Sequence, residues 1–408
     1  MITTSAAGAA LAGSGFAHSG LALPHPPPAL AGHELALFLL QVGVLLLLAL
    51  LLGRLATRLR MPAIVGELCA GLLLGPSLFG HLAPAAASWL FPASGEQFHL
   101  LDSAGQLGVL MLVGLTGMEL DLALLRRRGS TVLSVSVSGL VLPLGLGIAA
   151  GYLLPASLVP PGVHRGVVAL FLGVALAVSA IPVIAKTLTD MKLIHRNIGQ
   201  LTLAAGVVDD ACGWVLLGVV SALAVANGVG GHAVRSIACL AGVVAIAATI
   251  GRPLVRALLA PVARLAEPGP ALAAVTIMIL LSAALTGALG LEPVFGAFVC
   301  GITIGATRVL HPAQLRSMHT LVMSVLAPLF FAIAGLRMDL TTLRQLPVLI
   351  TAAAILLIAV AGKFAGAFTG ALLGRLSRWE ATALGAGMNA RGVIQIVVAT
   401  AGLQLGVL

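Results

Sequence analysis

The sequence predicts an all-α polytopic membrane protein, and three observations carry that prediction. Of its 408 residues 60% are hydrophobic and only 9% charged, too little polar surface to cover a soluble globule of this size. Apolar runs near twenty residues recur without long alternating strands, and backbone exposed to lipid must bond within its own segment, so the spans are helices rather than barrel strands. Lysine and arginine gather in the connections after alternate runs, which orients the bundle. The formal charge of +9 and pI near 10.7 would point to nucleic acid in a soluble protein. Here membrane orientation accounts for the basic residues, and no nucleic-acid partner is implied.

Residues 1–33 are rich in Ala, Gly and Pro, carry no Lys or Arg, and contain His25-Pro26-Pro27-Pro28. They lack the basic start of a signal peptide and read as a mobile tail. Residues 34–408 form one integral membrane domain, divided into apolar runs at about 35–53, 63–80, 104–120, 131–154, 166–190, 197–226, 234–251, 271–290, 293–307, 320–336, 346–374 and 380–405. Those runs predict twelve transmembrane spans of a multi-pass cell-membrane protein.

With the N-terminus outside, connections after odd-numbered spans face the cytoplasm. They hold Arg54, Arg58, Arg60, Arg126, Arg127, Arg128, Lys186, Lys192, Arg196, Arg252, Arg256, Arg264, Arg308, Arg316, Arg375 and Arg378, sixteen of the 22 basic residues. Outer connections keep Arg165, Arg235, Arg337 and Arg344. Lys363 and Arg391 remain, and both fall inside spans. The sixth span carries adjacent carboxylates, Asp209 and Asp210, with no neutralising charge nearby in sequence. A charge inside a membrane costs several kcal/mol unless it is paired or used, so these residues are the functional candidates.

Depth brings them together. Asp209 lies twelve residues from Asn197, Lys363 twelve from Arg375, and Arg391 twelve from Trp379. At 1.5 Å per helical residue all three sit roughly 18 Å from the cytoplasmic boundary, near the middle of a core about 30 Å thick. Two acids and two bases at one depth predict mutual compensation.

Two spans read as broken at a corresponding depth. In the fifth, Ser179-Ala180-Ile181-Pro182 places a proline that removes a backbone hydrogen bond and disfavours helix at Ile181. In the twelfth, Gly385, Gly387, Asn389 and Gly392 crowd together. Paired interruptions in two halves point to a transport site in which freed carbonyls and half-helix ends meet ions. The alternative for Pro182 is an ordinary kink. Cys69, Cys212, Cys239 and Cys300 all lie within apolar runs without CxxC spacing, so they read as small packing residues, with neither disulfide nor metal cofactor.

These motifs, in this order, make the chain resemble the monovalent cation:proton antiporter-2 superfamily, of the bacterial sodium/proton exchanger type. The likeness runs from about residue 35 to 408. It is carried by Met61-Pro62-Ala63-Ile64-Val65-Gly66-Glu67 through Gly75-Pro76, by Gly114-Leu115-Thr116-Gly117-Met118-Glu119-Leu120-Asp121 and by the Asp209-Asp210 pair. It continues through Gly296 to Gly301, Pro328-Leu329-Phe330-Phe331 and Asn389-Ala390-Arg391-Gly392. The resemblance implies an inverted-repeat antiporter fold with two discontinuous crossing helices, a dimerisation domain set against a core domain, a homodimer, and alternating access by rigid-body movement of the core. It also implies electrogenic exchange for the double-aspartate version and a lysine at the place of Lys363 paired with the first aspartate. The family pattern has about thirteen spans, so a final helix is expected to be missing here. Gln395 stands where many relatives carry an acid.

On that reading the partners are protons, the lipid bilayer and a monovalent cation, sodium by preference, and no cofactor is required. Asp210 is the candidate ion carboxylate, since a hard cation takes oxygen ligands and competes with a proton for the same group. Asp209 and Lys363 complete the ion and proton site. Arg391 is a poor proton carrier and is expected to satisfy carbonyls at the twelfth-span break. Ser179 offers a hydroxyl to the ion or to freed backbone, Asn389 sits in the twelfth-span break, and Glu67, nearer the cytoplasm, lines a funnel or packs helices. His195, His311 and His319 are weak pH-sensor candidates. The alternatives are an electroneutral potassium/proton exchanger and a glutathione-gated potassium efflux system. The second is disfavoured because no nucleotide-binding domain follows the membrane part. An intramembrane aspartyl protease needs two carboxyls on one water, whereas helix neighbours point about 100° apart, so no enzyme is read here.

The sixteen-to-four asymmetry places Arg126 to Arg128 in the cytoplasm and the Glu96 connection outside. In a cysteine-free background, a single cysteine at position 96 is expected to react with an impermeant reagent in intact cells. Labelling there only after the membrane is breached reverses the orientation.

Overall fold

The protein is described from a computed structural model, which covers residues 32–92, 95–119, 129–179, 196–225, 231–265 and 267–407, with a few single positions between 184 and 193. Among the described residues all regular structure is helical. α1 (Gly32–Arg58) and α2 (Ala63–Leu74) form a hairpin, two short helices follow (α3, Phe79–Leu82; α4, Pro84–Leu90), and α5 spans Gly95–Glu119. Next come α6 (Gly129–Leu153), α7 (Arg165–Ala177) and α8 (Asn197–Val225). α9 (Gly231–Ile246) runs through a π turn, Ala247–Gly251, into α10 (Arg252–Ala263). α11 (Pro268–Ala288) and α12 (Pro293–Thr307) form a second hairpin, and α13 (Pro312–Leu321) passes through a π turn, Val322–Leu326, into α14 (Ala327–Leu336). α15 (Leu346–Leu373), α16 (Arg378–Gly387) and α17 (Val393–Gln404) complete the chain.

Nine of these segments are long and apolar enough to cross a membrane, and Arg165–Ala177, Pro293–Thr307 and Gln395–Gln404 are shorter apolar helices. Together they occupy the twelve predicted runs. Several predicted boundaries move, among them the start of the third span, at Gly95 rather than 104, and the end of the first, at Arg58 rather than 53. The seventh span does not stop at residue 251 but continues to Ala263, and the tenth begins at Pro312 rather than 320. Arg252, Arg256 and Arg316 therefore lie on helices. Long basic side chains reach back to the interface from a helix end, so a charge does not mark the end of a span. Residues 1–31 and Pro182 lie outside the described residues.

The helices group into two bundles. In the first, α2 packs between α1 and α14 while α12 packs between α11 and α5, and the two arrangements repeat each other. A Cβ on Gly71 of α2 would lie 1.8 Å from the Ala332 carbonyl oxygen of α14, and one on Gly301 of α12 would lie 2.1 Å from the Gly114 carbonyl oxygen of α5. One helical turn on, Gly75 meets Leu336 and Gly305 meets Met118 in the same sense. Each hairpin thus donates its glycine face to the third helix of the other half, a reciprocal exchange that a pseudo-two-fold repeat produces. In lipid, where apolar burial gives helices no preference for one another, such close approach is what holds them.

The second bundle, the core, gathers α6, α7, α8, α15, α16 and α17. Gly366 of α15 approaches Ser138 of α6 closely enough that a Cβ would sit 2.5 Å from its carbonyl oxygen. That contact lets Ser134 donate to the Gly370 carbonyl at 2.9 Å and Thr131 to that of Gly374 at 3.3 Å. Val132, Val135, Leu201, Ala204, Ala205, Ala367, Ala371, Leu384 and Met388 fill its interior. The bundles meet along an apolar seam where Trp214 of α8 lies against Phe298 of α12, ring centroids 5.7 Å apart.

Gly71→Ala and Gly301→Ala are expected to cost similar amounts, about 1–3 kcal/mol, because each forces the same interhelical contact apart. Gly43→Ala, with nothing within 4 Å of the added carbon, is the control. Thermal unfolding in detergent checks this, and unequal losses for the two would break the repeat equivalence.

Candidate ion site

A helix ends with orphan carbonyls, and inside a membrane no water is at hand to satisfy them. α7 ends at Ala177, and Val178 turns to extended backbone, leaving the carbonyls of Ala175, Leu176, Ala177 and Val178 in a row. Each has a side-chain donor from elsewhere in the core bundle. Arg391 Nη1 lies 3.5 Å from the Ala175 oxygen and 3.2 Å from that of Leu176. Lys363 Nζ donates to Ala177 at 2.5 Å, and Gln395 Nε2 donates to Val178 at 2.5 Å.

The donors come from the second break and its neighbour. α16 stops at Gly387 and α17 resumes at Val393, as the glycines of the twelfth span predict. The two breaks touch directly, with Ser179 Oγ 2.7 Å from the Met388 carbonyl oxygen. Arg391 therefore serves the other broken helix, not the twelfth-span break as expected. Its second amino group donates to Ala359 of α15 at 2.6 Å. A planar fork suits several carbonyls on two helices at once. Asn389 ties the break to α15, donating to Val360 at 3.1 Å and to Gly385 at 3.4 Å, while its own amide oxygen is buried without a partner. Gln395 accepts from the Gly392 amide at 2.7 Å, so this one side chain caps α17 and reaches α7.

Lys363 and Asp209 form a buried ion pair through Nζ and Oδ2, with 1% and 0% of their side chains exposed. The ammonium has three protons and three acceptors, since it also donates to Ala177 and, at 3.0 Å, to Gly139 of α6. Ser179 Oγ lies 2.9 Å from the same Asp209 oxygen, and Asp209 Oδ1 is buried without a partner. The predicted depth match thus becomes contact for Asp209, Lys363 and Ser179, with Arg391 close enough to act on Lys363 through its charge.

Asp210 points elsewhere, as neighbours on a helix must. It is 2% exposed, and its polar neighbour is the Trp214 indole N–H one turn along. Trp214 belongs to the seam with the first bundle, so Asp210 lies towards the seam and Asp209 towards the core interior. Glu67 is not brought to the site. It sits in the first bundle beside Gly53, where Glu67, Arg54, Thr57 and Ser324 border a cavity of about 240 Å³.

Sequence reading passed over three contributors. Gln395 drew notice only for lacking a charge, and neither Trp214 nor Gly139 was singled out. The signal for Gly139 is Pro143, four residues on in an apolar run, whose missing amide leaves that carbonyl free.

The comparisons agree with this architecture. The family described as sodium/hydrogen exchanger, transmembrane, matches residues 43–408. The chain is 31% identical over 381 residues to Na(+)/H(+) antiporter NhaS4 of Synechocystis, covering 92% of both. It is 31% identical over 382 residues to Cation/H(+) antiporter 19 of Arabidopsis thaliana, where the match takes 92% of this chain but 46% of the plant protein. The structure of the sodium proton antiporter MjNhaP1 from Methanocaldococcus jannaschii at pH 8 shares the fold, with a TM-score of 0.66, 19% identity and coverage of 91% of this chain and 87% of that one. The buried acid–base pair at two crossing helix breaks thus sits in a chain that belongs to the transmembrane sodium/hydrogen exchanger family.

Proposed function

We propose that the protein exchanges a monovalent cation for protons by alternating access, with Asp210 as the group for which the two compete. The observation that carries this reading is the Asp209–Lys363 pair, buried at the junction of two interrupted helices with a second carboxylate beside it. A structural ion pair needs neither the second acid nor the breaks. A cation arriving at Asp210 places positive charge near the Lys363 ammonium in a medium that screens little, which favours loss of the lysine proton and frees Asp209 to share the cation. Two protons then leave for one cation, which makes exchange electrogenic.

Sodium is the cation we assign, since carboxylate, hydroxyl and carbonyl oxygens are hard ligands. Names among the relatives include both Na(+)/H(+) antiporter in Synechocystis and K(+)/H(+) antiporter 1 in Saccharomyces cerevisiae. The same vesicles test both cations. Helix neighbours point apart, Asp210 towards the seam and Asp209 towards the core interior, so a protease reading, which needs both carboxyls on one water, has no support.

Asp210→Asn is expected to abolish exchange at every pH in proteoliposomes loaded with a pH indicator, and to abolish cation binding. Sodium still moving against protons in that variant would remove Asp210 from the role.

Lys363→Ala leaves an uncompensated buried carboxylate at Asp209 and is expected to lower stability by about 3 kcal/mol. What exchange remains should become electroneutral, as only the Asp210 proton is then traded. Adding Asp209→Asn should restore much of the stability, giving a non-additive cycle. Simple addition of the two single losses in thermal unfolding is the outcome that rejects the coupling.

A further inference from the structure

The protein treats its interior prolines in two ways. Pro253 and Pro328 each follow a π turn, Ala247–Gly251 and Val322–Leu326, and the wider turn carries the backbone past a ring that cannot donate. Pro143, in the middle of α6, has no such turn: Gly129–Leu153 is continuous α-helix. In an α-helix the amide of residue 143 would bond the carbonyl of residue 139, and proline has no amide to give. That carbonyl is the one Lys363 occupies at 3.0 Å. Access to it is built in, because Gly362, the residue before Lys363, passes close to α6: a Cβ added to Gly362 would lie 2.8 Å from Leu146 Cδ1 and 3.5 Å from the Pro143 Cα.

We infer that Pro143 is a positioning residue for ion coupling: by withholding its amide it leaves the Gly139 carbonyl to Lys363, so that α6 becomes the third arm of the Asp209–Lys363 pair. The inference rests on the reading that Lys363 gives up and regains Asp209 during exchange. Counting donors shows what the third arm does. The ammonium satisfies Asp209, Ala177 and Gly139 with its three protons. When the proton shared with Asp209 departs to solvent, the neutral amine keeps two N–H groups, and two carbonyls remain to accept them. Asp209 is released to the cation, and no buried donor is left bare. Without the Gly139 carbonyl the ammonium would carry one bare N–H and give up its proton at a lower pH, while the neutral amine would have one acceptor besides Asp209 and would hold on to the carboxylate that the cation needs. The charged groups acting on Lys363 are Asp209 of α8 and Arg391 of the α16–α17 break, while α6 and α7 present carbonyl oxygens to it.

Pro143→Ala restores an amide that competes for the Gly139 carbonyl, and Pro143→Gly does so without a side chain against Gly362. In both, reconstituted full-length protein is expected to fold, with the pH of half-maximal exchange about one unit lower, because the ammonium has lost an acceptor worth roughly a factor of ten in its proton equilibrium. In a Lys363→Ala background the same two substitutions should leave the pH profile where it was. An unchanged midpoint in the native background overturns the inference. So does a shift that persists without Lys363, or failure of both variants to fold, either of which makes the proline a matter of helix structure. The underlying reading fails separately, if Lys363→Ala alone leaves both the pH profile and the dependence on membrane potential unaltered.

Discussion

Everything around the site follows from one constraint: a helix that stops in the middle of a membrane must have its carbonyls satisfied by protein. The four carbonyls from Ala175 to Val178 are the clearest expression of it, because each is met by a side chain from beyond α7. The donors divide by chemistry. Arg391, which stays charged, takes the two carbonyls deepest in the helix and a third on α15. Gln395, which has no charge, takes the outermost. Lys363, whose ammonium also meets Asp209, takes the carbonyl of Ala177 near Ser179. The α7 end is thus held mostly by Arg391 and Gln395, and the lysine is kept for the carbonyl beside the carboxylate.

Much of this was legible in the chain, and the limits of legibility have physical reasons. Counting residues from the cytoplasmic boundary put Asp209, Lys363 and Arg391 at one depth, because helical rise is constant and the bilayer has a fixed thickness. The same count says nothing about azimuth, so it could not show that Arg391 reaches across to α7, or that Asp209 and Asp210 face different surroundings. Span ends were misplaced where arginine sits on helix rather than loop, as at Arg252 and Arg316. The pairing of Arg337 with Asp102 at 2.5 Å, with the Arg337 guanidinium 5.1 Å above the Phe98 ring, joins the end of α14 to α5, which sequence reading kept apart. Those residues are 235 positions from each other, and no local pattern links them.

Three arginines carry a related lesson. Arg60, Arg308 and Arg375 have φ of 62°, 51° and 63°, the left-handed region where glycine is usual. Each follows a helix that ends on the face assigned to the cytoplasm, α1, α12 and α15 respectively. A cation is favoured beside the negative end of a helix dipole, and also on the cytoplasmic side of a membrane protein. Orientation and capping are served by one side chain, at some cost in backbone strain. The internal repeat shows at the first of them, since α11, the counterpart of α1, is followed by Gly290 with φ of 74°.

That bundle and the core are built differently, and the difference bears on movement. Glycine-to-carbonyl contacts lock the first bundle into one arrangement, because a close approach of backbones has no neighbouring register of equal quality. The hydrogen bonds of the site, from Gly139 to Gln395, all lie inside the core. What separates the two bundles is an apolar seam, typified by Trp214 against Phe298. Apolar contacts lack directional bonds, so a core sliding along this seam breaks none of the site's bonds and carries the whole constellation with it. Of the two aspartates, Asp210 is the one beside Trp214, and Asp209 is held on the far side by Lys363 and Ser179. Movement along the seam therefore changes what Asp210 meets, which is what the proposed exchange asks of the group shared by cation and proton.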